Sequence, residues 1–217
     1  MGMLYQTAKY LIARAVDLEM LTWRHHGLGM LQAELHDAPN LRVHVWHPDL
    51  VRLPAGVRRV HDHRFDITSV VLHGSVHDMH WSVVPNPTLE ERGRTDWVQT
   101  KVWEIQHAKA QGQPGTGGAR GGCSTATDVS LVGPAWARFS AGEVKYAGNA
   151  YTIQRRIFHT TVVEDLAITL IERSNFDERL ARVLGDNLDT EPQSAIQRDT
   201  PPEIIERYVQ RAIRALS

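Results

Sequence analysis

Between Leu4 and Leu35 the apolar residues Leu4, Ala8, Leu11, Ile12, Ala15, Leu18 and Leu21 recur at steps of three and four. That spacing predicts amphipathic helix. Gly27 and Gly29 divide this lead-in into two helical pieces, and Asp37-Ala38-Pro39-Asn40 stops the second. Beyond Pro39 the texture changes to short runs rich in Val, Ile, Thr and Trp, which predict strands over 41–46, 57–63, 67–72, 76–84 and 98–107. A second set is predicted over 129–132, 136–140, 143–146, 151–153, 160–163 and 166–173. Turn residues punctuate the runs at roughly ten-residue intervals, the mark of an antiparallel sandwich or barrel rather than of alternating βαβ units. Between the two sets, 108–128 holds Gly112, Gly115, Gly117, Gly118, Gly121 and Gly122 and reads as a flexible loop. Helix is predicted again within 177–217. There Thr200-Pro201-Pro202-Glu203 forms the cap, and Ile204, Ile205, Tyr208, Ala212, Ile213 and Leu216 share one face.

These elements make one domain of 217 residues: a helical lead-in (1–38), a β-barrel (39–176) and a helical tail (177–217). A net charge of -1, from 24 Lys+Arg against 25 Asp+Glu, supplies no field for a phosphate backbone or an anionic membrane. Nucleic acid and membrane are therefore not expected partners. The start Met1-Gly2-Met3-Leu4-Tyr5 has no secretory pattern, so a cytoplasmic setting is expected. The single cysteine, Cys123, has no disulfide partner within the chain and no acid-base neighbour, and is not assigned a catalytic role. No Lys-Ser or Lys-Thr follows the glycines of 108–128, which argues against a nucleotide loop.

Twelve histidines direct attention to metal. His61 and His63 stand two apart in a predicted strand, so both rings project from one face. Gly74 follows His63 by eleven positions, and Gly148 precedes His159 by the same interval. These spacings resemble the two motifs of the cupin superfamily, over residues 55–173. The resemblance implies a double-stranded β-helix, or jelly-roll barrel, with helical extensions at both ends, and a metal held by His61, His63 and His159. The chain departs from the pattern at Ile67, where many cupins carry a glutamate ligand; neighbouring Asp66 is the substitute candidate. In the second motif Gln154, Arg156 and Val163 stand at the usual proline, glycine and asparagine positions. Among three-histidine cupins the stretch from His61 to Gly74 is similar to the thiol dioxygenases. The Ser-His-Tyr relay of that group is replaced by Glu172, Ser174 and Phe176, so cysteine is not the expected substrate.

Neutral imidazoles bind Fe, Zn, Ni or Cu and leave coordination positions open. Three such donors leave the ion's double charge unbalanced, which favours a small substrate chelating as an anion. With Fe(II), the expected chemistry is that of a mononuclear non-heme dioxygenase; zinc and nickel are the other candidates. If Asp66 ligates, the set approaches two histidines and a carboxylate. A barrel that only binds a small ligand, and a redox-neutral isomerase or lyase, are the rival readings. Arg59 shares the face of His61 and His63 and is read either as a fork for a substrate carboxylate or as an exposed neighbour of Arg58. Tyr151 is read as a proton donor or as a packed barrel tyrosine. His73 is read as a support for the ligands or as a turn-edge residue. His25, His26, His36, His44, His47, His77, His80 and His107 read mostly as solvated. Exposed sheet edges and amphipathic terminal helices lead to the expectation of a homodimer.

Overall fold

The structure is a computed structural model that describes residues 2–17, 20–35, 38–51, 53, 57–85, 87–88, 90, 96–107, 127–185 and 200–217. Apolar residues at helical spacing build α1 (Gly2–Asp17), in which Ile12, Ala15 and Val16 are buried. Twelve described strands follow: β1 (Leu21–His26), β2 (Leu28–Leu35), β3 (Ala38–Val51), β4 (Val57–His61), β5 (Asp66–His73) and β6 (Ser75–Val84). Next come β7 (Val98–His107), β8 (Thr127–Tyr146), β9 (Ala150–Ile153), β10 (Phe158–Val162), β11 (Ala167–Ser174) and β12 (Ala181–Gly185), and then α2 (Pro202–Leu216). No described helix is long and apolar enough to cross a membrane.

The strands form two antiparallel sheets. The first runs β1-β2-β3-β11-β5-β9, and the second closes on itself in the order β10-β4-β12-β7-β8-β6. Alternation decides what each face carries. On the first sheet Leu31, Ala33, Val43, Val45, Leu72 and Ile168 form one core with Ile12, Val16, Tyr208, Ala212 and Leu216 of the two helices. Each fully buried aliphatic side chain there contributes about 1.5–3 kcal/mol. In α2 the buried residues Tyr208, Ala212 and Leu216 fall four apart, as the sequence predicts. On the second sheet Val60, Val102, Ala135, Ala137, Phe158 and Leu184 make a separate apolar cluster. Their chain neighbours His61 and His159 point to the opposite side.

Three expectations are corrected. The second half of the lead-in is not helix: β1 and β2 pair as a hairpin from Leu21↔Leu35 to His26↔Met30. Gly27 is its turn, and the register of β2 against β3 slips between Leu28 and Met30, at Gly29, so both glycines shape a hairpin rather than break a helix. The runs 129–132, 136–140 and 143–146 fuse into the single strand β8, whose pairing shifts register against β7 and again against β6. The predicted tail begins with strand β12, which completes the closed sheet between β4 and β7. At α2 the N-cap is Pro201 without a side-chain cap bond; the Ile204 and Ile205 N–H groups donate to the Pro201 carbonyl. Apart from Thr127 and Asp128, which open β8, the glycine-rich segment 108–128 and its Cys123 lie outside the described residues.

Candidate metal centre

The His61-Asp62-His63 tripeptide works by alternation. The strand β4 ends at His61, and Asp62 turns to the other side, where it is 1% exposed. The Asp62 N–H donates to the Arg182 carbonyl at 2.9 Å, while its carboxylate accepts from the Arg182 backbone N–H at 2.6 Å and from Nε at 2.7 Å. That pin on β12 leaves His61 and His63 on the same side, their rings 4.7 Å apart. His63 itself lies just past the strand rather than within it. The third ring arrives by register: in β10, His159 pairs with His61 of β4 and with His80 of β6. Its ring centroid is 4.8 Å from that of His61 and 5.2 Å from that of His63. One donor nitrogen from each residue lies within 4.8 Å of the other two, so the group could hold a metal ion.

The motif glycine has a steric reason. Gly74 takes φ +69, and a Cβ there would run into the Leu166 carbonyl oxygen, so only glycine turns the chain from β5 into β6 at this point. Gly148 is also left-handed, at φ +92.

Hydrogen bonds select which nitrogens face the centre. His61 Nδ1 is 2.7 Å from the Arg59 carbonyl oxygen and therefore donates to it, which leaves Nε2 without a proton. His159 Nδ1 lies 3.1 Å from Asp78 Oδ1, and the other Asp78 oxygen is 2.7 Å from His80 Nε2. His159 is 3% exposed, and its Nε2 is buried with no partner among the described residues. A buried imidazole nitrogen left open beside two others is what a metal ion would satisfy. His63 stacks on Phe65 at 5.1 Å. Removal from bulk water, and then the neighbouring His159, lowers the His61 pKa to about 3. Removal from water, then His61 and His159, holds His63 well below the ordinary range. Both therefore stand neutral at pH 7, the form that ligates. Burial opposes ionisation of Asp78, but hydrogen bonds from His159 and His80 outweigh it and hold its pKa low.

The other predicted residues fall at different distances from this chemistry. Asp66 is not in the three-imidazole group. Its Oδ1 accepts from the Arg155 N–H at 2.7 Å and its Oδ2 from Asn175 Nδ2 at 2.7 Å, so it ties a turn at the start of β5. Arg59 is half-buried on the His61 face of β4, and its carbonyl orients that ring. Tyr151 of β9 stands opposite Ser69 of β5 and packs with Val71 and Ile67; burial raises its pKa to about 12. His73 is half-buried at the end of β5 and outside the three-ring group.

Asp62, Asp78 and His80 escape sequence reasoning, as does the depth of His25 and His44, each 6% exposed rather than solvated. The available signal was parity: Asp78 and His80 are two apart on β6 and share a face. Compared with known proteins, the chain matches no protein-family model and no curated protein.

Proposed function

We propose that the protein is a cupin-type jelly-roll enzyme that holds one Fe(II) ion through His61, His63 and His159 and oxygenates a small anionic chelating substrate. One observation carries the reading: three imidazoles from β4, its exit and β10 converge with their donor nitrogens within 4.8 Å of one another. Backbone and carboxylate acceptors occupy Nδ1 of His61 and of His159, which supports ligation through Nε2. A ferrous ion there supplies a Lewis-acidic, redox-active centre with positions left for substrate and dioxygen. Three neutral ligands leave its charge uncompensated, which selects an anion. In this proposal Arg59 contacts the substrate's charge from the His61 face, and Tyr151, protonated at pH 7, offers a hydrogen-bond donor. Asp66 is left out of the ligand set because both its oxygens serve the turn.

The test is metal analysis of protein purified without chelators, then reconstitution with ferrous ion and oxygen-uptake assays on small thiol, hydroxy and keto acids. The expected result is about one iron per chain and oxygen consumption with an acid of this class, both abolished in His61→Ala and His159→Ala. Turnover that persists without oxygen assigns the site to an isomerase or lyase, and ligand binding without turnover assigns it to a binding module. Protein that takes up no divalent metal overturns the proposal. We also propose a homodimer in the cytoplasm: β1 and β9 are the edges of an open sheet, and edges seek cover. Light scattering that gives one chain per particle at all concentrations would remove the dimer.

A further inference from the structure

The apolar cluster of the second sheet draws side chains from all six strands of the closed order, so it fills the inside of that ring. Alternation keeps the cluster apart from the metal centre. Trp81 of β6 pairs with Phe158 of β10, and His80 with His159, so the two large aromatic side chains share the face from which the imidazole turns away. The filling is incomplete. A cavity of about 330 Å³ lies between Trp81, Val102 of β7, Ala135 of β8 and Phe158. Small residues on β8 leave this room: a Cβ added at Gly133, which also lines the cavity, would meet nothing within 4 Å. Protein interiors pack without voids of this size, whereas pockets for small molecules begin at about 300 Å³.

Charge on the wall is of one sign. Arg156 and Arg182 line the cavity, and no acidic side chain does among the described residues. Asp62 holds Arg182 through Nε at 2.7 Å and Nη2 at 2.6 Å, and Asp177 holds Arg156 Nε at 3.1 Å. Neither carboxylate is part of the lining, so these bonds fix both guanidinium groups without bringing negative charge to the cavity surface. The Nη1 side of Arg182 has no partner among the described residues, and its guanidinium carbon stands 4.9 Å from the centroid of the Phe158 ring. Cationic donors thus border an aromatic wall.

We propose that this cavity is a second ligand site, separate from the metal centre, for one small apolar monocarboxylate. The hydrocarbon or aromatic body lies against Trp81, Val102 and Phe158, and the carboxylate meets Arg182 with Arg156 beside it. A sugar or another many-hydroxyl ligand would leave its polar groups unmatched on the apolar walls, and a plain hydrocarbon would leave the guanidinium groups unmet. Because the cavity is across the sheet from the three imidazoles, its occupant is a different molecule from one that reaches the ion. Occupancy of this site does not depend on the metal.

The test is calorimetric titration of the full chain, metal-free and metal-loaded in parallel, with octanoate and naphthoate. Each is set against its primary amide, and acetate, an acid without an apolar body, is the control. At least one of the two acids is expected to bind about tenfold more tightly than its amide and than acetate, with metal-free and metal-loaded affinities within about twofold of each other. Val132 and Ile157 also line the cavity and are 55% and 37% exposed, so a carboxylate can be added at either without opening the core. In Val132→Glu and in Ile157→Glu the preference for acid over amide falls below about threefold. Circular dichroism identifies a variant that fails to fold, and the other variant then decides. Equal binding of acid and amide, no binding of either acid, or a preference that survives both substitutions overturns the site. Binding that appears only in the metal-loaded chain, or is lost in His61→Ala, also overturns it, because the acid is then a ligand of the ion. A chain that takes up no metal yet still prefers the acid keeps this site and sinks the metal centre.

Discussion

At the junction of helix and sheet, His25 and His47 have both ring nitrogens engaged by the protein. His25 Nδ1 meets the Thr200 hydroxyl, and its Nε2 lies 2.6 Å from the Leu50 carbonyl oxygen. His47 Nδ1 accepts from the Asp49 N–H at 3.1 Å, and its Nε2 lies 3.1 Å from Arg211 and 3.4 Å from Asp165. These rings fasten α2 and the chain that enters it to β1 and β3. Between the sheets, His61 and His159 have one nitrogen engaged and one turned to the other imidazoles. Burial alone does not separate the two groups, since His25 and His159 are both nearly inaccessible. The count of satisfied nitrogens does: His25 and His47 are closed at both ends, whereas His61 and His159 are closed only at the end that orients the ring.

The largest effect on that contrast should come from Asp78. Asp78→Asn removes the charge that fixes the His159 ring, and metal affinity measured by chelator competition should fall about 10- to 100-fold. An unchanged affinity would mean that Asp78 serves only β6. On the other side of the comparison, His47→Ala should lower chemical-denaturation stability by about 1–2 kcal/mol while leaving metal uptake as it is. A loss of metal with that substitution would erase the distinction between the two groups.

A smaller effect is expected from pH. Burial, then Arg42, holds the His44 pKa well below the ordinary 6.5 in the folded chain. Below pH 6.5 the unfolded chain takes up a proton that the folded one refuses, so stability of the metal-free protein should decline as pH falls below that value. His44→Leu should flatten part of the decline in urea midpoints, and an identical slope would contradict a neutral buried ring. The smallest effect belongs to Asp66→Asn, which should shift metal affinity by less than about twofold because the carboxylate holds a turn. A tenfold or larger loss would restore Asp66 to the ligand set.

What the sequence disclosed follows from the range of the interactions involved. His61 and His63 were readable because alternation about Asp62 is local, and the buried face of α2 because Tyr208, Ala212 and Leu216 repeat every four residues. Gly74 was readable because its left-handed φ admits no side chain beside Leu166. The β1-β2 hairpin was missed because Leu21 to Leu35 carries both helical and alternating spacings, and only pairing with β3 decides between them. Strand β12 was missed for a similar reason: it is held by β4 and β7, more than seventy residues away in sequence. Asp78 and His44 depend on register across distant strands, Asp78 opposite Thr161 and His44 opposite Thr169, which no local pattern encodes. The apolar period finds the elements; the polar partners that define a centre come from how they are paired.

X-ray absorption at the iron edge of the reconstituted protein tests whether three imidazoles share one ion. Three imidazole nitrogens at about 2.0–2.2 Å are expected, with the outer-ring scattering that identifies histidine, and one fewer in His159→Ala. A first shell of oxygens alone, or a spectrum unmoved by that substitution, would contradict it.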